Sequence, residues 1–114
     1  KKIEAVVGKQ DFYKLVRDDV CFFDDFEQEV QKNKKHKNEL GSIYCYMEQV
    51  ANGEKLPRNK FNTLSKSSEN EIGECEFKSK NLRVYAIQIQ NGKLVILGGY
   101  KNRQKKDLRK LRSI

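Results

Sequence analysis

A chain of 114 residues, 37% hydrophobic and 35% charged with eleven aromatics, has the make-up of one small globular domain with a modest core, not of a disordered segment. No apolar run approaches the roughly 20 residues that a membrane-spanning helix needs, so no membrane residence is expected. No signal-peptide pattern is visible, which excludes little in a chain that opens on Lys1.

The net charge of +8 is unevenly spread. Residues 1–71 hold 13 Lys/Arg and 13 Asp/Glu, whereas residues 72–114 hold 11 basic residues against 3 acidic ones. Such asymmetry is the electrostatic footprint of a nucleic-acid or anionic-surface binder; a solubilising basic tail is the plain alternative.

In chain order, Ile3–Val7 and Phe12–Val16 are short runs rich in β-branched and aromatic residues, separated by Gly8–Asp11. They predict two strands, paired as a hairpin. A helix is predicted from Cys21 or Asp24 to Asn33, with Phe23, Phe26 and Val30 on one face. Its acidic residues (Asp24, Asp25, Glu27, Glu29) cluster early and its lysines (Lys32, Lys34, Lys35) late, which suits the helix dipole. After a short Lys34–Asn38 connection, a second helix is predicted from Asn38 or Glu39 to Ala51. Leu40, Ile43, Tyr44, Met47, Val50 and Ala51 form its stripe, and Asn52-Gly53 is its stop. Glu54–Asn70 has loop composition, with Phe61 and Leu64 as anchors.

Three strand-like runs follow. Glu74–Lys78 alternates with Cys75 and Phe77 inward. Leu82–Ile89 is apolar on both faces, as a central strand would be, and Lys93–Gly99 returns from a turn signalled by Asn91-Gly92. Gly98-Gly99 suggests a bulge or turn. Beyond Tyr100 the chain is basic, and Asp107 is placed to cap a short helix carrying Leu108 and Leu111. This order predicts an α+β fold: two N-terminal helices on a twisted, mainly antiparallel sheet, with a short basic C-terminal helix or tail.

Cys21, Cys45 and Cys75 lack metal-ligand spacing, and His36 is the only imidazole. Each cysteine has apolar or aromatic neighbours, which suggests small core residues and a reducing, cytoplasmic setting. Neither a metal nor a cofactor is expected. No phosphate-binding glycine loop or nucleophile motif is present, and His36 lies among lysines in what looks like an exposed loop.

The cations remain. Lys101, Arg103, Lys105, Lys106, Arg109, Lys110 and Arg112 crowd the last fourteen residues against Asp107 alone. Arg83 lies in the adjacent central strand, Lys78 and Lys80 end the strand before it, and Tyr85 and Tyr100 are interleaved. A basic surface with tyrosines can neutralise phosphates and stack on unpaired bases. RNA carries its own nucleophile, the 2′-hydroxyl. Arg can stabilise the extra phosphate charge, and Lys or Tyr can move protons where their pKa is shifted. This set permits RNA cleavage without specifying it, and composition alone ranks binding above catalysis.

From about Phe12 to its end the chain resembles the RelE/ParE toxin superfamily, most closely the HigB-like, phage-derived branch. The resemblance begins at "FYKLVRDD" and "FFDDFEQEV", continues through "VANGEKLPRNKFNTL", and is clearest in "EIGECEFKSKNLRVYAIQIQNGKLVILGGYKNRQKK". It implies a RelE-like toxin domain over residues 1–114, the toxin of a type II toxin–antitoxin pair. Toxins of this kind cut mRNA on the ribosome without metal, and a cognate antitoxin, here expected to be of helix-turn-helix type, covers the basic face.

Arg83 falls on the family's sheet arginine, Tyr100 on the aromatic before the basic motif, Lys101 on the first lysine of that motif and Lys105 on a later one. With the neighbouring cations, the expected catalytic set is Arg83, Lys101, Arg103, Tyr100 and Lys78, and the expected RNA contacts are Lys80, Tyr85, Lys105, Lys106 and Arg109. Two positions depart from the family pattern: Glu76 stands where an arginine is usual, and Asn102 where a second lysine is usual. Both departures favour a non-catalytic RNA- or protein-binding module of the same fold as the alternative.

Overall fold

The computed structural model describes residues 1–64 and 73–114. Its elements are β1 (Asp11–Lys14), α1 (Phe22–Val30), α2 (Lys34–Ala51), β2 (Phe61–Thr63), β3 (Glu74–Lys78), β4 (Leu82–Ile89), β5 (Gly92–Tyr100), a 3₁₀ turn (Lys101–Arg103) and α3 (Gln104–Ser113). The strands form one sheet in the order β1-β5-β4-β3-β2. Only the β1–β5 pair is parallel; the other three are antiparallel. This is the expected α+β architecture, with α1 and α2 against a mainly antiparallel sheet.

The pleat divides the sheet side chains between two layers. Leu82, Val84 and Ala86 of β4 join Cys75, Phe77, Phe12 and Val95 under Phe23, Phe26, Leu40, Ile43 and Met47 of the first two helices. On the opposite face Tyr85, Ile96 and Leu97 meet Leu111 and the half-buried Leu108 of α3. The basic tail is therefore a packed helix with an apolar stripe, and both faces of β4 are covered.

Several local expectations are corrected. Ile3–Val7 is not a strand. Lys2 makes a single antiparallel bridge to Tyr13, and the chain then turns towards the end of α2. There Val7 N–H donates to Glu48 Oε1 (3.1 Å), and Asn52 Nδ2 donates to the Val7 carbonyl (3.2 Å). The partner of β1 lies about eighty residues away in β5, which local pattern cannot reveal.

The second helix begins at Lys34. The Asn33 side chain accepts the His36 N–H (3.1 Å), a cap obscured by the lysines around it. Because α1 ends at Val30, its last turn holds no basic residue, and Lys34 and Lys35 belong to α2 instead. His36 is therefore helical and half-buried, not in an exposed loop. Phe61–Thr63 is an edge strand within the expected loop, whose last residues (65–70) lie outside the described residues along with Ile72.

The β4–β5 turn is shifted by one residue. Gln90 and Asn91 form it, Asn91 has φ +60°, and Gly92 already pairs with Ile89. A side chain at Gly92 would meet the Asp11 carbonyl at 1.9 Å, so the parallel β1 strand demands glycine there. Gly98 and Gly99 are neither bulge nor turn but strand positions under close approach. A Cβ at Gly98 would lie 2.1 Å from the Phe26 ring, and one at Gly99 1.9 Å from Asp107 Oδ2. The register shift lies further up, between Tyr85 and Ala86. Cys21 and Cys75 are buried as expected, but Cys45 is exposed on α2.

Candidate nucleic-acid interface

Backbone pairing gathers the cations. Lys78 at the end of β3 stands opposite Arg83 at the start of β4. The Lys78 N–H donates to the Lys60 carbonyl (2.8 Å), which brings Lys60 alongside, and the Lys101 N–H donates to the Asn81 carbonyl (2.9 Å), which draws in the 3₁₀ turn. The result is a groove of about 430 Å³ lined by Tyr46, Asn59, Lys60, Lys78, Ser79, Lys80, Arg83 and Lys101. Among the described lining residues five are cationic and none is a carboxylate. Clustered charge of one sign beside low-dielectric walls focuses the field and concentrates anions.

Arg83 is the most buried member, 8% exposed. Its Nη1 donates to the carbonyls of Ser79 (2.7 Å) and Leu82 (2.8 Å), which locks the guanidinium across the β3–β4 turn. Its Nε is buried and meets no acceptor among the described residues. A buried donor without a partner is costly, so an incoming anion would gain more here than at the surface. Lys60 is steadied by the Tyr46 ring, 5.3 Å from its ammonium.

The turn is held from below by α2. Glu39 accepts from Ser79 Oγ (2.5 Å), Asn81 N–H (2.8 Å) and Asn81 Nδ2 (2.7 Å). Burial alone would raise its carboxyl pKa, but the hydrogen bonds from Ser79 and Asn81 outweigh it and leave the group below the ordinary range.

Glu76 does not line the groove. It is 2% exposed, accepts from Gln104 Nε2 (2.9 Å) through Oε2, and has Oε1 3.7 Å from the Lys78 ammonium. Glu76 is thus enclosed between α3 and Lys78.

The expected site residues separate into four places. Lys78, Lys80, Arg83 and Lys101 share the groove. Tyr100 and Arg103 instead line a neighbouring hollow of about 560 Å³ with His36, Asn81, Lys101 and Asn102, and Lys101 is common to both. Tyr100 packs edge-on against Phe26 and tilted against His36, with centroids 5.8 and 5.4 Å apart. Burial and the nearby Glu29 raise its hydroxyl pKa, which works against proton uptake and release near neutral pH. Lys105, Lys106 and Arg109 are exposed on α3 and line neither cavity.

Tyr85 is a correction. It is fully buried in the layer under α3, so its ring has no open face on which a base could stack. Its hydroxyl is enclosed without a partner among the described residues, and burial raises its pKa far above the usual tyrosine value.

Lys60, Tyr46, Asn59 and Ser79 escaped the sequence reading. They come from α2, the turn before β2 and the β3–β4 connection, whose convergence is purely tertiary. The lone local hint was Lys60 beside the anchor Phe61.

Among the described residues no group of three or more His, Cys, Asp or Glu is placed to hold a metal ion, and no helix is long and apolar enough to cross a membrane. Comparison of the chain with protein-family models, curated proteins and solved structures finds no match.

Proposed function

We infer that this protein is an RNA-directed toxin of the RelE-like kind, and that its cationic groove receives the phosphodiester backbone of mRNA on the ribosome. The single observation that carries this reading is the convergence of Lys60, Lys78, Lys80, Arg83 and Lys101 on one groove with no carboxylate among its described lining residues. The resemblance of the C-terminal half to the RelE/ParE superfamily supports the choice of RNA. A phosphate bound there would take the free Nε of Arg83. Cleavage would proceed by attack of the RNA 2′-hydroxyl on the adjacent phosphorus as the bond to the 5′-oxygen breaks, leaving a 2′,3′-cyclic phosphate and a 5′-hydroxyl end. In this scheme Arg83 stabilises the added phosphate charge, the 2′-hydroxyl proton passes to solvent water, and Lys78 or Lys101 delivers a proton to the leaving 5′-oxygen. A helix-turn-helix antitoxin covering the groove and α3 would silence the protein in the cytoplasm.

One observation favours a second reading, a non-catalytic RNA- or protein-binding module. The groove holds no histidine, its only tyrosine is Tyr46, and Tyr100 and Arg103 stand outside it. Incubating the purified protein with translating ribosomes and mapping mRNA 5′ ends separates the two. New 5′-hydroxyl ends that vanish with Arg83→Gln plus Lys101→Gln support cleavage. Salt-sensitive RNA binding without new ends leaves the binding module. Growth arrest on expression that the double substitution fails to relieve would sink the assignment of these residues.

A further inference from the structure

The groove carries more charge than a nucleic-acid backbone supplies in its space. About 430 Å³ is room for one small ligand, yet the described lining residues include Lys60, Lys78, Lys80, Arg83 and Lys101. Glu76 offsets one of these from behind, with Oε1 3.7 Å from the Lys78 ammonium. Lys60, Lys80, Arg83 and Lys101 make no ion pair among the described residues, which leaves four uncompensated cations. RNA brings one negative charge per nucleotide, so the roughly one or two phosphodiesters that fit here neutralise at most half of them. Like charges held together without counter-charge repel one another, and that repulsion works against the compact state.

The cluster is also fixed in place. Arg83 is 8% exposed, its Nη1 is tied to the carbonyls of Ser79 (2.7 Å) and Leu82 (2.8 Å), and its buried Nε has no acceptor among the described residues. That donor is directed, and an oxyanion would satisfy it. The Lys60 ammonium is held 5.3 Å from the centre of the Tyr46 ring.

A chain of condensed phosphates has the charge density that four clustered cations require. A terminal phosphate ester carries about 1.5–2 negative charges at pH 7, and each inner phosphate adds one, so a triphosphate brings about four. No base contact is needed, because Tyr46 is the one aromatic residue among the described lining residues and Lys60 already covers its ring.

We propose that the groove is also a polyphosphate site: it takes the triphosphate chain of a free nucleotide or of an RNA 5′ end, with Arg83 Nε on one phosphate and Lys60, Lys80 and Lys101 on the others. The proposal rests on the phosphate-binding reading of the groove and adds a competitor to it. The triphosphate and the phosphodiester backbone both need Arg83, so nucleoside triphosphates hold back RNA at the same site.

The test is isothermal titration of the full chain with inorganic tripolyphosphate, ATP, GTP and AMP, at fixed salt and without divalent cations. Tripolyphosphate, ATP and GTP should bind alike. AMP should bind roughly 100-fold more weakly, about tenfold for each of the two missing phosphates. Lys80→Gln combined with Lys101→Gln, both on exposed side chains, should weaken ATP by roughly tenfold or more. Lys34→Gln combined with Lys35→Gln removes the same charge from the exposed first turn of α2 and should leave ATP binding unchanged. ATP should displace a labelled oligoribonucleotide at concentrations where AMP does not. Oligoribonucleotides with 5′-triphosphate and 5′-hydroxyl ends separate the two sources. Tighter binding of the triphosphate end assigns RNA ends to the site, and equal binding with ATP still bound assigns free nucleotides. Equal affinities for ATP and AMP, or equal losses in the two double variants, overturn the polyphosphate site; RNA binding that still depends on Lys80 and Lys101 then leaves the groove reading intact. ATP binding that follows chain length but does not displace RNA keeps the site and overturns the RNA reading. Absence of both ATP and RNA binding overturns both.

Discussion

The Glu39 clamp offers the sharpest test of how the site is held. Glu39→Ala removes the acceptor of three hydrogen bonds, from Ser79 Oγ and from the backbone and side-chain amides of Asn81. Hydrogen bonds to a charged acceptor contribute about 1.5–3 kcal/mol each when buried. This cluster is only partly buried, so water recovers much of that, and a net loss of about 2–3 kcal/mol is expected. For a domain near this size that lowers Tm by about 8–12 °C. Because the folded-state pKa of Glu39 lies below its unfolded value, the unfolded chain binds the extra proton as the solution turns acidic. The clamp's contribution is fully present above the unfolded value of about 4.3 and is lost as pH falls through the lower folded value. Thermal melts of wild type and Glu39→Ala followed by circular dichroism should therefore show a gap at pH 7 that closes on acidification. A gap of under 2 °C at pH 7, or one that persists unchanged at pH 3, would refute the clamp.

Other expectations follow from single contacts. Gly98→Ala drives a methyl to within 2.1 Å of the buried Phe26 ring; overpacking of this kind costs about 1–3 kcal/mol, visible as a lower urea midpoint. In the native protein a thiol reagent at pH 8 should modify Cys45, which is exposed, and spare Cys75. Burial pushes the Cys75 thiol up to about 11, so little thiolate forms. A second fast-reacting equivalent assigned to Cys75 by peptide mapping would contradict the packing. Lys78→Gln should reduce the slope of log K against log salt for RNA by about one, with no loss of base preference; an unchanged slope removes Lys78 from the phosphate contact.

Much of the fold was legible in the sequence because its signals are local. The period-two run Glu74–Lys78, the doubly apolar Leu82–Ile89, and the stripes of Phe23-Phe26-Val30 and Leu40-Ile43-Met47 each contain their own periodicity. Charge asymmetry pointed to the C-terminal third, and four of the expected residues, Lys78, Lys80, Arg83 and Lys101, do share one groove. The remainder needed three dimensions. Tyr85 looks like any strand tyrosine until Leu108 and Leu111 of α3 pack over that face of the sheet. Tyr100 lies next to Lys101 in sequence, yet it turns towards Phe26 and His36, away from the cationic groove. Lys60 joins the cluster only because its carbonyl accepts the Lys78 N–H. Local pattern decides which way a strand's side chains alternate. Which face is covered, and which distant segment supplies the missing cation or the parallel edge strand, depends on long-range pairing that no short window of sequence contains.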